Sequence, residues 1–357
     1  MKIPKLRLTH GLLLAAVVPF VQSQATSLDT NLDPESEVRN VILITWDGIR
    51  RHEFLNGPDQ ELANGDSSDT FPWFRANFQG TGKTYGTPDS PMTVGNTVMM
   101  SLPGYQSILA GRTQNCFDNY CGRIEETTVS ERIVNALSLD REKVAHIASW
   151  YAIKFASERR KGSVFVNSGL EALQDSAPDS IQKEINSEQQ ENRPPWQGAR
   201  YDEYTVKHAT NYLEKHRPRF THIGLNDSDE WAHRGDYPNY LSSMRQYDQW
   251  LKELVEQLAS MGEYGRNTCL VITTDHGRGA GTKWNTHSNG VLESGMVWMH
   301  VSCPFLGNEV EFVDREYLTT HLDIRPTIED LMGIKPRTCV GCGSSLVKRK
   351  FEDLAAK

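Results

Sequence analysis

Long apolar runs are scarce in this chain of 357 residues. The longest lies in the N-terminal stretch MKIPKLRLTHGLLLAAVVPFVQSQA, where Gly11 to Val21 is apolar and Pro19 interrupts it. A permanent transmembrane helix needs roughly 20 such residues, so no transmembrane segment is expected. With Lys2, Lys5 and Arg7 ahead of the run and small polar residues behind it, residues 1–25 instead read as a signal peptide. Export to a periplasmic or extracellular space follows from that reading. Positive charge is also in deficit: 38 Lys and Arg face 46 Asp and Glu, a formal net charge of -8. Such a surface does not suit nonspecific attraction to nucleic-acid duplexes or anionic lipid. A negatively charged substrate would have to be met locally, and bound metal is one way to do it. Internal repeats and low-complexity tracts are absent too.

Six cysteines are present. In an exported chain, close pairs read as disulfides before metal thiolates. Cys116 with Cys121 and Cys339 with Cys342 are the local pairs, although CVGC also has the spacing of half a zinc ribbon. Cys269, inside the apolar run TCLVITT, reads as a buried thiol.

Short runs rich in β-branched residues recur at 40–46, 144–150, 163–167, 220–226, 268–274 and 296–302. Helical patterns fall between them at 131–138, 202–216, 240–262 and 317–333. Strands apolar on both faces that alternate with helices predict an α/β fold with a mostly parallel central sheet sandwiched by helices. Residues 26–357 are expected to form a single catalytic domain, with a polar cap insertion at about 169–200.

Ligands of an open parallel sheet gather at the carboxyl ends of its strands, and there the chain places acids and imidazoles. Asp47 follows VILITW and precedes Gly48; Asp275 and His276 close LVITT and precede Gly277; Asp229 and His233, four apart, follow FTHIGLN; His287 lies in KWNTHSNG. Each alone has a plain reading, as a turn or a surface pair. Together they are the donor types of zinc or a related divalent ion. Ser101, ahead of Pro103 and a helical run, would alone read as an N-cap.

With Ser101 the ordered set VILITWDGIR, SLPGYQSILAG, DSDEWAHRGDY, TTDHGRG, THSNG and DIRPTIEDLMGIKP resembles the alkaline phosphatase superfamily. In motif spacing it is most similar to the nucleotide pyrophosphatase/phosphodiesterase branch. The resemblance implies two divalent metals, zinc foremost: one on Asp229, His233 and His287, the other on Asp47, Asp275, His276 and the Ser101 oxygen. It implies that Ser101 is the nucleophile, activated by metal and aided by the N-terminus of its helix. The implied activity is hydrolysis of a small-molecule phosphate ester or nucleotide-like substrate through a phosphoserine. Asn115 and Asn119 both lie near the place of the branch's phosphate-contacting asparagine; Asn119 is preferred because a Cys116–Cys121 bridge would fix its loop.

The chain departs from the branch at Gly104, where the branch has asparagine, and it lacks a clear phosphate-gripping arginine, Arg112 being the nearest candidate. A sulfatase of the same fold would need arginine where Tyr105 stands. That sulfatase, a transferase of the phospho group and an inactive metal-containing binding protein are the alternatives. Substrate choice is expected to rest on the insertion and on Trp46, Trp150, Tyr151 and Trp284, while His321 reads as a helix-surface residue.

Overall fold

The computed structural model describes residues 39–174, 179–314 and 318–348. The signal-peptide reading of residues 1–25 lies outside them. Its strands are β1 (Asn40–Trp46), β2 (Gly82–Tyr85), β3 (Met92–Thr93), β4 (Val144–Ala148), β5 (Phe165–Ser168), β6 (Phe220–Leu225), β7 (Thr268–Thr273), β8 (Met299–Ser302) and β9 (Thr319–Thr320). Its helices are α1 (Arg51–Asn56), α2 (Ser101–Ala110), α3 (Val129–Ala136), α4 (Ser180–Glu191), α5 (Asp202–His216), α6 (Asp227–His233), α7 (Tyr237–Ser260), α8 (Glu263–Arg266) and α9 (Ile324–Leu331).

Seven strands form one sheet in the order β2-β8-β7-β1-β6-β4-β5, and β3 pairs with β9 in a small second sheet. The run from β7 to β5 is parallel, while β8 is antiparallel to both β7 and β2. Side chains along a strand alternate between faces, and β1 buries both sets. Val41 and Leu43 join α2, α3 and α9 in one apolar core. Ile42, Ile44 and Trp46 join α5 and α7 in the other. The sheet is thus an α/β sandwich filling, as its continuous apolar strands require.

Between Gly169 and Arg200, α4 packs on α5 and buries Gln182, Ile185 and Gln189. Its amides donate to the carbonyls of Leu170, Glu171 and Leu173. No described helix is long and apolar enough to cross a membrane.

Several expectations change here. Cys269 is not a free thiol: it is bonded to Cys303. The antiparallel register sets Leu270 against Ser302 and so brings the two cysteines face to face, a neighbourhood that 34 residues of separation conceal in the sequence. Cys339 pairs with Cys342, which removes the zinc-ribbon reading, and Cys116 pairs with Cys121. The helix expected over 317–333 begins only at Ile324, because Thr319 and Thr320 pair with Met92 and Thr93. His321 is therefore fully buried, not on a helix surface. Trp46 and Trp284 are buried as well; Trp46 stacks on Phe71 and Tyr247, so neither indole offers a face to substrate.

Candidate active site

The register of the three central strands assembles the site. Trp46 aligns with Leu225 of β6, and Thr45 with Thr273 of β7. The residues that follow, Asp47, the turn into α6, and Asp275 with His276, therefore emerge side by side at the carboxyl edge. Asp229 and His233 stand one helical turn apart on α6, and His233 Nε2 reaches Asp229 Oδ2 at 3.1 Å.

Ser101 is the first residue of α2, and the extended Met100 before it is the cap position. The hydroxyl is consequently free of capping duty. The Leu102 N–H donates instead to Asn119 Oδ1 at 3.0 Å. Asn119 sits in the loop closed by Cys116–Cys121, which fastens that loop to the start of the helix. Pro103 falls in the first turn, where a backbone N–H has no helical partner to lose. Gly104 explains the departure from the branch pattern: a Cβ there would lie 2.7 Å from the Asp275 carbonyl oxygen. Its absence lets α2 press against the end of β7 and puts Ser101 Oγ 3.3 Å from His276 Nε2.

The donor atoms converge. His276 Nδ1 lies 3.0 Å from the Gly277 carbonyl, which fixes Nδ1 as the protonated nitrogen and leaves Nε2 with a lone pair. That atom is 3.5 Å from Asp47 Oδ1 and 3.4 Å from Asp275 Oδ2. Both oxygens are buried and without a hydrogen-bond partner. The opposite oxygens are satisfied, Asp47 Oδ2 by the Tyr105 hydroxyl at 3.0 Å and Asp275 Oδ1 by the Gly48 N–H at 3.1 Å. His287 Nδ1 faces the Met99 carbonyl at 2.8 Å, and its Nε2 lies 3.1 Å from His233 Nε2. The His276 and His287 rings stack at 3.8 Å.

Electrostatics make the same point. Burial, then the neighbouring carboxylates of Asp275 and Asp229, push the Asp47 carboxyl well above its ordinary range. Burial and Asp229 raise Asp275 to about 7. Burial lowers His276 to about 4 and His287 to about 3, so these imidazoles stay neutral. Burial acts upward on Asp229 too, but Arg278 and His233 outweigh it and hold that carboxyl well below the usual value. Orphaned carboxylate oxygens and imidazole lone pairs that share a buried volume repel one another unless a cation lies between them. A divalent metal fits this donor set.

Among the described residues, two groups have ligand atoms all within 4.8 Å: Asp47, Asp275 and His276, and Asp229, His276 and His287. His276 belongs to both. Arg112 is at the far end of α2, paired with Glu126 at 3.2 Å, and takes no part. The sequence reading passed over Tyr105 and Arg278. Tyr105 could have been found, since it is four residues after Ser101 and so on the same helix face. Arg278, in the glycine-flanked DHGRG, is buried with its guanidinium on Asp229.

A family model described as the metalloenzyme superfamily matches residues 182–336. That span includes Asp229, His233, Asp275, His276 and His287. Solved structures share the fold across most of the chain. BT1596, a 2-O GAG sulfatase, is 14% identical, with a TM-score of 0.56 over 87% of this chain and 73% of its own. A protein in the alkaline phosphatase superfamily from Vibrio parahaemolyticus is 13% identical, with a TM-score of 0.54 over 88% and 71%. The family model ties residues 182–336 to the metalloenzyme superfamily, and the solved structures share the α/β fold. The C-terminal periplasmic domain of EcEptC from Escherichia coli, in complex with Zn, is 12% identical, with a TM-score of 0.54 over 89% and 88%. No curated protein matches the chain in sequence.

Proposed function

We propose that this chain is an exported two-metal hydrolase of phosphate esters, of phosphodiesterase or phosphatase type, with Ser101 as nucleophile. The carrying observation is Ser101 Oγ, free of capping bonds and 3.3 Å from His276 Nε2, the atom that faces the orphaned oxygens of Asp47 and Asp275. Asp47, Asp275, His276 and the Ser101 oxygen are the donors for one metal; Asp229, His233 and His287 are those for the other. Zinc suits a set of imidazoles and carboxylates. When bound, such ions lower the pKa of an attached hydroxyl and stabilise charge on phosphoryl and leaving oxygens.

The chain's own residues do the rest. Ser101 attacks phosphorus in line, its oxygen forming the new P–O bond as the ester oxygen opposite departs, and the product is a phosphoserine. Water then cleaves that bond and restores the hydroxyl. Asn119, already at the first turn of α2, supplies an amide beside a phosphoryl oxygen, and the positive end of the helix dipole favours its negative charge. Tyr105 orients Asp47, and the Gly48 N–H orients Asp275. The motif order points to the nucleotide pyrophosphatase/phosphodiesterase branch and to a small phosphate ester or nucleotide-like substrate. Removal of residues 1–25 leaves 26–357 as the catalytic domain, and three disulfides suit an oxidising, extracytoplasmic compartment.

The test gives zinc-loaded protein p-nitrophenyl phosphate, bis-p-nitrophenyl phosphate and p-nitrophenyl sulfate side by side. Turnover of a phosphate ester, lost in Ser101→Ala with metal content retained, is the expected result. Turnover of the sulfate alone replaces the reading with a sulfatase. Two bound metals without turnover of any ester replace it with a transferase of narrow acceptor range or a binding protein.

A further inference from the structure

We infer that Arg278 is a positioning residue for the metal cluster, one guanidinium that ties together the segments bearing Asp47, Asp229 and His287. Its Nε donates to the Gly48 carbonyl at 3.1 Å, one residue beyond Asp47. Nη1 donates to the Asn285 carbonyl at 2.9 Å, two residues before His287. Nη2 donates to the Asp229 carbonyl at 3.1 Å and to Oδ1 of the same residue. Arg278 itself follows His276 by two. Every segment that carries a strand-end ligand therefore meets at one buried side chain.

These ties act where regular structure does not. Between His276 and His287 the chain forms only a single 3-10 turn, Gly281–Lys283, so no ladder of backbone hydrogen bonds sets the place of His287. His287 is also held by the Met99 carbonyl, by its neighbours His233 and His276, and by the Gly279 N–H, which donates to the Thr286 carbonyl beside it. The neighbourhood is shaped around the guanidinium: Gly48 has φ +65°, and a Cβ there would lie 2.5 Å from Asp229 Oδ1 and 2.9 Å from Arg278 Nε. A planar guanidinium holds five donors in a fixed, spread fork, whereas the three donors of an ammonium radiate from one nitrogen and cannot span the same separation. Asp229 also differs from its partners. Its oxygens are taken by Arg278 and His233, whereas Asp47 and Asp275 each keep one orphaned oxygen. Loss of Arg278 thus falls chiefly on the half of the cluster formed by Asp229, His233 and His287.

This inference rests on the metal reading above, and the experiment separates the two. Zinc bound per chain, and its affinity against a competing chelator, are measured for the wild type, Arg278→Ala and Arg278→Lys, with near-UV circular dichroism reporting the fold. The wild type is expected to bind two zinc ions. Both variants are expected to keep one at nearly wild-type affinity and to bind the other about 10–100-fold more weakly, the usual cost of removing a group that orients a ligand. Free guanidinium is expected to restore the second ion to Arg278→Ala, a rescue that general destabilisation would not give. Two ions at wild-type affinity in either variant overturns the inference. Should Arg278→Ala fail to fold, Arg278→Lys decides by the same criterion. Absence of zinc from the wild type overturns the metal reading itself.

Discussion

Single atoms decide the geometry around Ser101. The hydrogen that replaces a side chain at Gly104 is what lets the helix of Ser101 touch the end of β7. Gly104→Ala is expected to force them apart, to cost about 1–3 kcal/mol by urea denaturation, and to lower kcat more than it raises KM, because Ser101 moves while the rest of the pocket stays. Asn119 acts on the same helix from the other side. Asn119→Ala removes the acceptor for the Leu102 N–H; a loss of about 0.5–2 kcal/mol is expected, measurable by the same denaturation. None of this spacing was legible beforehand. The sequence showed that Gly104 departs from the branch, but the reason is the position of the Asp275 carbonyl, which follows a strand some 170 residues away.

Pairing of elements produces a second polar system, built on histidines that the candidate site does not use. The parallel register of β4 and β6 sets His146 against His222, and their Nδ1 atoms lie 3.1 Å apart. Ser130 on α3 closes one end at 2.7 Å and Thr45 on β1 the other at 2.9 Å. Both histidines are buried. Burial lowers His146 well below the ordinary 6.5 and lowers His222 to about 3. The folded protein then refuses protons that the unfolded chain accepts, so these residues contribute full stability above pH 6.5 and lose it as pH falls towards 3. The expected slope is up to about 1.4 kcal/mol per pH unit for each histidine. Urea midpoints measured between pH 7 and 4 should fall less steeply in His146→Leu/His222→Leu than in the wild type. The start of α3 makes a separate case: Thr128 and Glu131 form a reciprocal capping box. Thr128→Ala should cost about 1 kcal/mol and leave the pH slope unchanged.

For the molecule as a whole, three buried carboxylates face one another, and chelation is expected to lower the melting temperature by more than it does in Asp47→Asn/Asp275→Asn, as calorimetry would record. The α/β sandwich was legible because β1, β4, β5, β6, β7 and β8 are apolar runs, and the candidate site because its acids and histidines follow strand ends. The short strands β2, β3 and β9 were not. Residues 82–85 and 319–320 carry too little apolar pattern to announce a strand, and neighbouring strands create them. The partner of Cys269 was hidden for the same reason, and so was Arg278, whose burial depends on carbonyls supplied by three other segments. The central strand β1 ends at Trp46, yet its two neighbours begin at Phe220 and Thr268. Contacts this distant along the chain are slow to close. A chain emerging residue by residue must therefore wait for β7 before its first strand is flanked on both sides, and the clustered acids and histidines have no common site until then.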